Sequence, residues 1–334
     1  MQNYSRYSLV IFILFSFQLC AQPDSLYFKE KAKDDIKLGW RTKKEAGLSL
    51  NQVSFSNWNA GGTNSITGIV TGSASAKYKQ ENLFWNSLLS LRYGLNKQED
   101  KPLFKTEDVI EVISNVGLEK SPESNWFYSA RFSFNTQFAN GYRNPDDNDP
   151  ISRFMAPGYL FLGIGMEYGR HIDRFSVYAS PFTLKNTFVL DDDLANQGAF
   201  GVDSAIYDLE GNIIKEGEKT RQELGILLTG QFEDEIFTNI KLNTRLRLYT
   251  DYLNSFGNID LDWELNLNMK VNKYVQATIG SHLRYDNDIK AEADKNDITN
   301  EEIVITGPKL QWKQLLGVGV IVDLDSLISQ RSTL

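Results

Sequence analysis

Apolar and polar residues alternate with a period of two over much of this chain. In Trp126–Phe138 the even positions are mainly aromatic and the odd positions are mainly polar. Ile240–Tyr252 and Ile259–Val271 repeat the pattern, as do Leu83–Leu95 and Val275–Tyr285. Because successive side chains of a strand point to opposite faces, this period predicts β-strands with one apolar and one polar face.

The connections between these segments predict how the strands follow one another. We count about twelve segments between Glu45 and Leu324, and single-chain outer-membrane barrels have an even number. Short turns and long surface loops alternate when antiparallel strands cross a membrane repeatedly. The predicted short turns are Gln80–Asn82, Pro122–Asn125, Arg170–Asp173, Glu233–Ile236 and Asn272–Lys273. The predicted long loops are Ser56–Asn64, Lys97–Leu103, Ala139–Pro157, Asp191–Lys219, Asn254–Gly257 and Asn287–Pro308.

The distribution of charge predicts which face lies inside. The polar stripe holds both basic and acidic residues, whereas the apolar stripe is nearly free of charge. A charge on the lipid face costs about 2–4 kcal/mol at the bilayer midplane, so the charged stripe belongs in the lumen. The predicted fold is therefore all-β: a transmembrane antiparallel up-and-down β-barrel of about 12 strands with a charged lumen. Aromatic residues near the strand ends predict two membrane interfaces, and they are Tyr78, Trp85, Trp126, Tyr128, Phe138, Tyr252 and Tyr285.

The N-terminus has the pattern of a secretory signal. Ser8–Phe17 is almost wholly apolar, and Leu19-Cys20-Ala21 follows it closely. The pattern predicts a signal peptide over residues 1–21 with cleavage near Ala21, a periplasmic arm over 22–44, the barrel over 45–324 and a tail over 325–334. Cys20 is the only cysteine, so the mature chain would form no disulfide. The predicted location is the outer membrane of a Gram-negative cell, with outer-membrane lipid around the barrel.

Overall charge narrows the class of partner. A net charge of -8 and a pI of about 5.0 argue against nucleic acid. Asp191–Lys219 carries eight acidic and two basic residues, and it contains a hairpin signal around Gly211-Asn212. Asn144–Pro150 and Asp191–Asp193 could bind Ca²⁺, but neither has the glycine and distal glutamate of an EF-hand loop, so a solvated acidic surface is favoured.

The strongest candidate site is a ladder of charges in the lumen. A turn at Asn272–Lys273 places Glu264 opposite His282 and Asp262 opposite Arg284. A loop at Asn254–Gly257 places Arg247 opposite Asp262 and Arg245 opposite Glu264. If Gln231 pairs with Asn239, Glu223 extends the first rung. The predicted ladder is therefore Glu223, Arg245, Arg247, Asp262, Glu264, His282 and Arg284.

The ladder has two interpretations. Opposite charges that pair would fill and rigidify the lumen, whereas a charged constriction would select solutes. The same register makes Asp260 and Asp286 face each other, which implies a raised carboxyl pKa, a bound cation or an error of register. Neither histidine, His171 or His282, has an adjacent nucleophile, so no enzyme, cofactor or metal site is predicted.

Several loop segments carry a resemblance to a known family. They are Ser54–Ser65, Gln137-Phe138 with Gly141-Tyr142 and Pro145, Phe154–Tyr159, Ser180–Thr183 and Asp193–Val202. Together they resemble the uncharacterised Bacteroidota outer-membrane family called domain of unknown function 3078. The resemblance implies an outer-membrane location and no activity. Its opening signature, Asn57, Trp58, Gly61 and Gly62, is either a docking or lumen-capping loop or a tight glycine turn with Trp58 on the rim.

The sequence thus favours one function over two others. A structural or accessory subunit of a cell-surface assembly with a largely filled lumen comes first, and its partners would be other outer-membrane or periplasmic proteins. A narrow channel for small solutes is the alternative. An outer-membrane hydrolase is a distant third.

Overall fold

The computed structural model describes residues 38–54, 63–121, 124–169, 174–253, 256–288 and 307–325. Twelve strands form one closed antiparallel barrel, and two short strands form a separate hairpin. In chain order the strands are β1 (Gly39–Val53), β2 (Ser65–Lys79), β3 (Leu83–Gln98), β4 (Phe104–Glu119), β5 (Trp126–Thr136), β6 (Gly158–Tyr168), β7 (Phe175–Phe188), β8 (Ile206–Tyr207), β9 (Ile213–Lys215), β10 (Thr220–Phe237), β11 (Ile240–Asp251), β12 (Asp260–Lys270), β13 (Val275–Tyr285) and β14 (Gln311–Asp323).

Each barrel strand pairs with its neighbours along the chain. β7 pairs with β10, because β8 and β9 form the predicted hairpin within the long loop between them. The barrel closes where β1 pairs with β14, for example at Ala46 and Val322. The prediction of a closed, twelve-stranded, up-and-down barrel is confirmed. Within the described ranges, no helix is long and apolar enough to cross a membrane.

Two predicted boundaries were wrong. β1 begins at Gly39, inside the segment predicted as an arm. β10 runs through the predicted turn Glu233–Ile236, and the chain reverses at Thr238–Asn239 instead. Asn239 has a φ of 65°, which asparagine adopts more readily than most residues and which suits a tight turn. Glu233 stays in the strand, and its carboxylate forms an ion pair with Lys241 Nζ on β11 at 2.5 Å.

A bulge interrupts β7 at Pro181. The register with β10 shifts between Gly225 and Leu227, and the register with β6 shifts between Ile164 and Met166. Proline has no N–H to donate to a sheet, so a bulge accommodates it. The shift decides which β10 residue faces Lys185, as described below.

The long acidic loop folds into a small cap. Asp191 caps helix α1 (Asp192–Asn196) by accepting a hydrogen bond from the backbone N–H of Leu194 at 3.1 Å. Arg221 fastens the cap to the barrel by donating to the Gly201 carbonyl at 2.8 Å. The sequence analysis did not predict this helix or its apolar core, which consists of Ala156, Val189, Leu194, Ala195 and Val202.

The outer face of the barrel is apolar and carries aromatic rings at its ends. Near the short turns, the ring of Trp40 lies 5.0 Å from that of Tyr78 and 5.8 Å from that of Trp85. Near the long loops, the rings of Tyr252 and Phe256 stack at 5.9 Å. Large aliphatic side chains between the two ends are exposed on the outer face, including Leu48, Val70, Leu162, Ile164, Leu316 and Val318.

Candidate functional site: the charged lumen

Three neighbouring strands place the predicted ladder in the lumen. Arg245 pairs in register with Glu264, and Arg247 with Asp262. Glu264 pairs in turn with His282, and Asp262 with Arg284. The predicted register of β11, β12 and β13 is therefore confirmed, because the turns that set it were correctly located.

Arg245 binds its register partner Glu264, but other side chains of the ladder contact residues that do not lie opposite them. His282 Nε2 lies 3.3 Å from Asp262 Oδ1, diagonally across the strands. Arg245 donates to Glu264 at 3.2 Å and, across the lumen, to Glu111 on β4 at 2.8 Å. The predicted rung Arg247–Asp262–Arg284 is not an ion-paired unit.

Both arginines of that rung lie on aromatic rings instead. The Arg247 guanidinium carbon is 5.0 Å from the ring centroid of Phe161, and that of Arg284 is 5.0 Å from the ring centroid of Tyr159. Both rings project from β6. Aromatic faces attract guanidinium groups electrostatically, and this competes with pairing across the strand.

The placement of Glu223 in the ladder was wrong. Gln231 pairs with Arg245 rather than with Asn239, so Thr229 and not Glu223 lies opposite Arg247. The cause is the late turn at Thr238–Asn239, which displaces the predicted register of β10 on β11. Glu223 faces Lys185 of β7 in register, and its carboxylate lies 3.2 Å from Lys185 Nζ.

Lys185 also explains the two facing aspartates. Its Nζ lies 2.9 Å from Asp260 and 3.9 Å from Asp286. Of the outcomes that the sequence left open, the structure shows a cation between the carboxylates, supplied by the chain itself. Sequence reasoning missed Lys185 because its position depends on the bulge at Pro181.

A second buried ion pair lies on the wall formed by β4 to β6. Arg131 Nη2 is 3.3 Å from Glu167, whose side chain is only 1% exposed. Asn115 donates to the same carboxylate at 3.0 Å, and the Arg131 guanidinium lies 4.5 Å from the ring centroid of Tyr178. The inward, odd-numbered position of Arg131 in the alternating pattern was the available signal for this contact.

Two of the cavities inside the described part of the barrel have volumes of about 230 and 140 Å³. Arg92 of β3 lines both of them. Its guanidinium lies 3.7 Å from Glu264 and 3.9 Å from Glu107, while Lys313 binds Glu107 at 2.7 Å. One side chain, within 4.0 Å of two carboxylates, therefore borders both cavities. The smaller cavity is lined mainly by small residues of β1 to β3, among them Gly47, Thr71, Gly72, Ser73 and Ser90.

A trio of possible metal ligands lies in the same region. The ligand atoms of Asp262, Glu264 and His282 are within 4.8 Å of one another. Arg245 and Arg92 already neutralise Glu264, however, and His282 already contacts Asp262. A divalent cation would have to displace these contacts, so the arrangement favours an ion-pair network.

Several predicted features lie outside the described residues. They are the signal peptide with its cleavage site near Ala21, the periplasmic arm up to residue 37, the tail from residue 326, and the loop signature Asn57, Trp58, Gly61 and Gly62. His171 also lies outside them.

Comparison with family models supports the resemblance in part. Residues 50–142 match the family described as protein of unknown function DUF3078, and residues 187–301 match the one described as protein of unknown function DUF481. No curated protein is significantly similar to the chain. The Bacteroidota origin implied by the resemblance stays a prediction.

Solved structures with a similar fold are outer-membrane barrels. An outer membrane channel from Pseudomonas putida F1 is 11% identical with a TM-score of 0.39, over 88% of this chain and 100% of that one. The NanC porin is 9% identical with a TM-score of 0.33, over 83% and 98% of the two chains. The translocator domain of the autotransporter NalP from Neisseria meningitidis is 10% identical with a TM-score of 0.30, over 95% and 98%.

Proposed function

We propose that this protein is an outer-membrane β-barrel that forms a narrow channel for small polar solutes. The observation that carries the proposal is that Arg92 lines both cavities inside the barrel. A lumen that served only as a rigid filler would favour close packing throughout. Here one arginine side chain, 30% exposed, lies at the border of two cavities.

The outer surface supports the membrane location. Val70, Ile164 and Leu316 are at least 60% exposed on a face that carries few charges. A soluble monomer rarely exposes so continuous an apolar surface. The aromatic rings at both ends of the barrel match the two interfaces of a bilayer. We expect the protein in the outer-membrane fraction, with a gel band that shifts on heating in detergent; recovery as a soluble periplasmic monomer without that shift would refute the location.

An accessory subunit with a filled lumen is the second candidate. The observation that favours it is the ion pair between Arg245 and Glu111, which crosses the lumen at 2.8 Å. Its partners would be other outer-membrane or periplasmic proteins. A hydrolase stays the distant alternative, with the contact between His282 and Asp262 as its only support among the described residues.

Conductance in a planar bilayer distinguishes the two leading candidates. We expect small single-channel currents from the wild type and a several-fold increase in Arg92→Ala, because the substitution joins the cavities. Glu107 and Glu264 keep Lys313 and Arg245 as partners, so the variant should fold. Arg174→Ala is the matched control, since Arg174 is exposed near a short turn and pairs with Asp234.

The opposite result is equally informative. If neither the wild type nor Arg92→Ala conducts, although both show the heat-dependent band shift of a folded barrel, the channel is refuted. The filled-lumen accessory subunit would then be the better proposal.

A further inference from the structure

Two arginines of the larger cavity lie on aromatic rings, and among the described residues their contacts with carboxylates are long or absent. Arg247 and Arg284 extend across the lumen to Phe161 and Tyr159. A guanidinium that lies over a ring still directs its N–H groups outward in its own plane. Such a group remains able to bind the two oxygens of a carboxylate or phosphate.

Three other cations of this cavity have close carboxylate partners. Lys185, Arg245 and Lys313 each have a carboxylate oxygen within 3.0 Å. Among the described residues, by contrast, no carboxylate oxygen lies within 4.0 Å of the Arg247 guanidinium, and Asp286 lies 4.0 Å from Arg284. Asp262, which faces Arg247 in register, contacts His282 instead. The Arg247 guanidinium therefore keeps donors without a carboxylate partner, and those of Arg284 have only a long contact, in the described part of the cavity.

Tyr249 adds an independent donor to the same cavity. The residue is 2% exposed, and its hydroxyl has no hydrogen-bond partner among the described residues. Its ring lies edge-on to Phe161, with the centroids 5.8 Å apart, so it is next to the ring that holds Arg247. A buried hydroxyl without a partner costs about 1–3 kcal/mol, and a ligand oxygen would remove that cost.

The geometry points to an oxyanion-binding site formed by Arg247, Arg284 and Tyr249 in the larger cavity. Its ligand is a small solute that carries a carboxylate or a phosphate group. The two guanidinium groups and the tyrosine hydroxyl donate to the oxyanion, and a cavity of about 230 Å³ restricts the rest of the solute. Because it names the solute class of the proposed channel, this inference rests on the proposed function.

Equilibrium dialysis of the full chain in detergent tests the site with radiolabelled lactate and, separately, inorganic phosphate. We expect saturable binding of at least one probe, at one molecule per chain. Arg247→Gln and Arg284→Gln should each weaken it about tenfold or more, since each removes a charge-assisted hydrogen bond. Tyr249→Phe should weaken it less. The neutral analogue 1,2-propanediol should not compete with lactate, and Arg174→Gln should bind like the wild type.

Each outcome of the binding experiment either supports or refutes the proposed site. Phosphate binding without lactate binding supports the site and identifies a phosphate as the group it takes. The site is refuted if neither probe binds saturably, if propanediol displaces lactate, or if the Arg247→Gln, Arg284→Gln double variant binds normally while keeping the band shift of a folded barrel. Binding is measured without conductance, so a protein that binds but does not conduct refutes only the channel.

Discussion

The lumen has two walls of different character. On the wall made by β4 to β7 and β10, large and charged residues are almost wholly buried; Glu167 is 1% exposed, Tyr178 0% and Lys185 4%. On the wall made by β1, β2 and β14, inward positions hold small residues such as Gly47, Ser49 and Ser73, which are only partly buried. The first wall fills the lumen with large side chains up to the larger cavity, whereas the small side chains of the second wall leave room for the smaller one.

The largest expected difference between the walls comes from breaking an ion pair. Arg131→Ala leaves the Glu167 carboxylate buried without its charge partner, which should lower the free energy of unfolding by about 3–5 kcal/mol. Lys43→Ala on the other wall breaks a pair with Glu45 at 2.7 Å, but Lys43 is 54% exposed. That loss should not exceed about 1 kcal/mol. Urea unfolding in detergent micelles measures both.

A second variant sharpens the same comparison. Adding Glu167→Gln to Arg131→Ala should recover part of the lost stability, because no unpaired charge then remains buried. If the two substitutions are additive, the pair does not act as a unit. The distinction between the walls would then rest on packing alone.

Glycine substitutions give a smaller difference that tests packing without charge. A Cβ on Gly165 of the packed wall would lie 2.0 Å from the Ala179 carbonyl oxygen, so Gly165→Ala must move the backbone. We expect a loss of about 1–3 kcal/mol in the free energy of unfolding. A Cβ on Gly317 of the other wall would have Asn51 Nδ2 as its nearest neighbour, at 3.8 Å. Gly317→Ala should stay within about 0.5 kcal/mol of the wild type, and equal losses at the two positions would contradict the comparison.

The smallest predicted effect on stability lies outside both walls, in the hairpin of β8 and β9. The Asn212 side-chain amide donates to Asp208 at 3.0 Å and its backbone N–H at 2.8 Å, which holds the pKa of the Asp208 carboxyl below its ordinary value. Since the folded pKa is lowered, the carboxylate stabilises the hairpin fully above about pH 4, and this contribution is lost as the pH falls through the lowered pKa.

Hydrogen exchange of the Asn212 amide across this range measures the effect. In the wild type, protection of the Asn212 amide should decrease as the pH is lowered through this range. In Asp208→Ala, protection of the Asn212 amide should be low at every pH, because the carboxyl that titrates is absent. A pH-independent wild type would show that the carboxylate does not hold the hairpin.

The agreement between sequence and structure differs from strand to strand. β11 to β13 are joined by connections whose positions were read correctly, and their register was predicted residue for residue. β10 was misplaced because Glu233, Asp234 and Glu235 resemble a solvated turn, although they continue the strand to Phe237. The end of a barrel strand that extends beyond the bilayer lies in water, where charged side chains are tolerated. A charged run there is therefore compatible with either a strand or a turn.

The sequence by itself determined the barrel, its approximate strand number and the inward side of each strand. Those features follow from a period of two and from the cost of charge in lipid, which are local properties of each segment. Only the tertiary structure decided which charges meet across the lumen. Lys185 reaches Asp260, Arg245 reaches Glu111, and Arg92 lines two cavities. These contacts join strands that are distant in sequence, and they depend on bulges and on the lengths of side chains that cross the lumen, which no local pattern records.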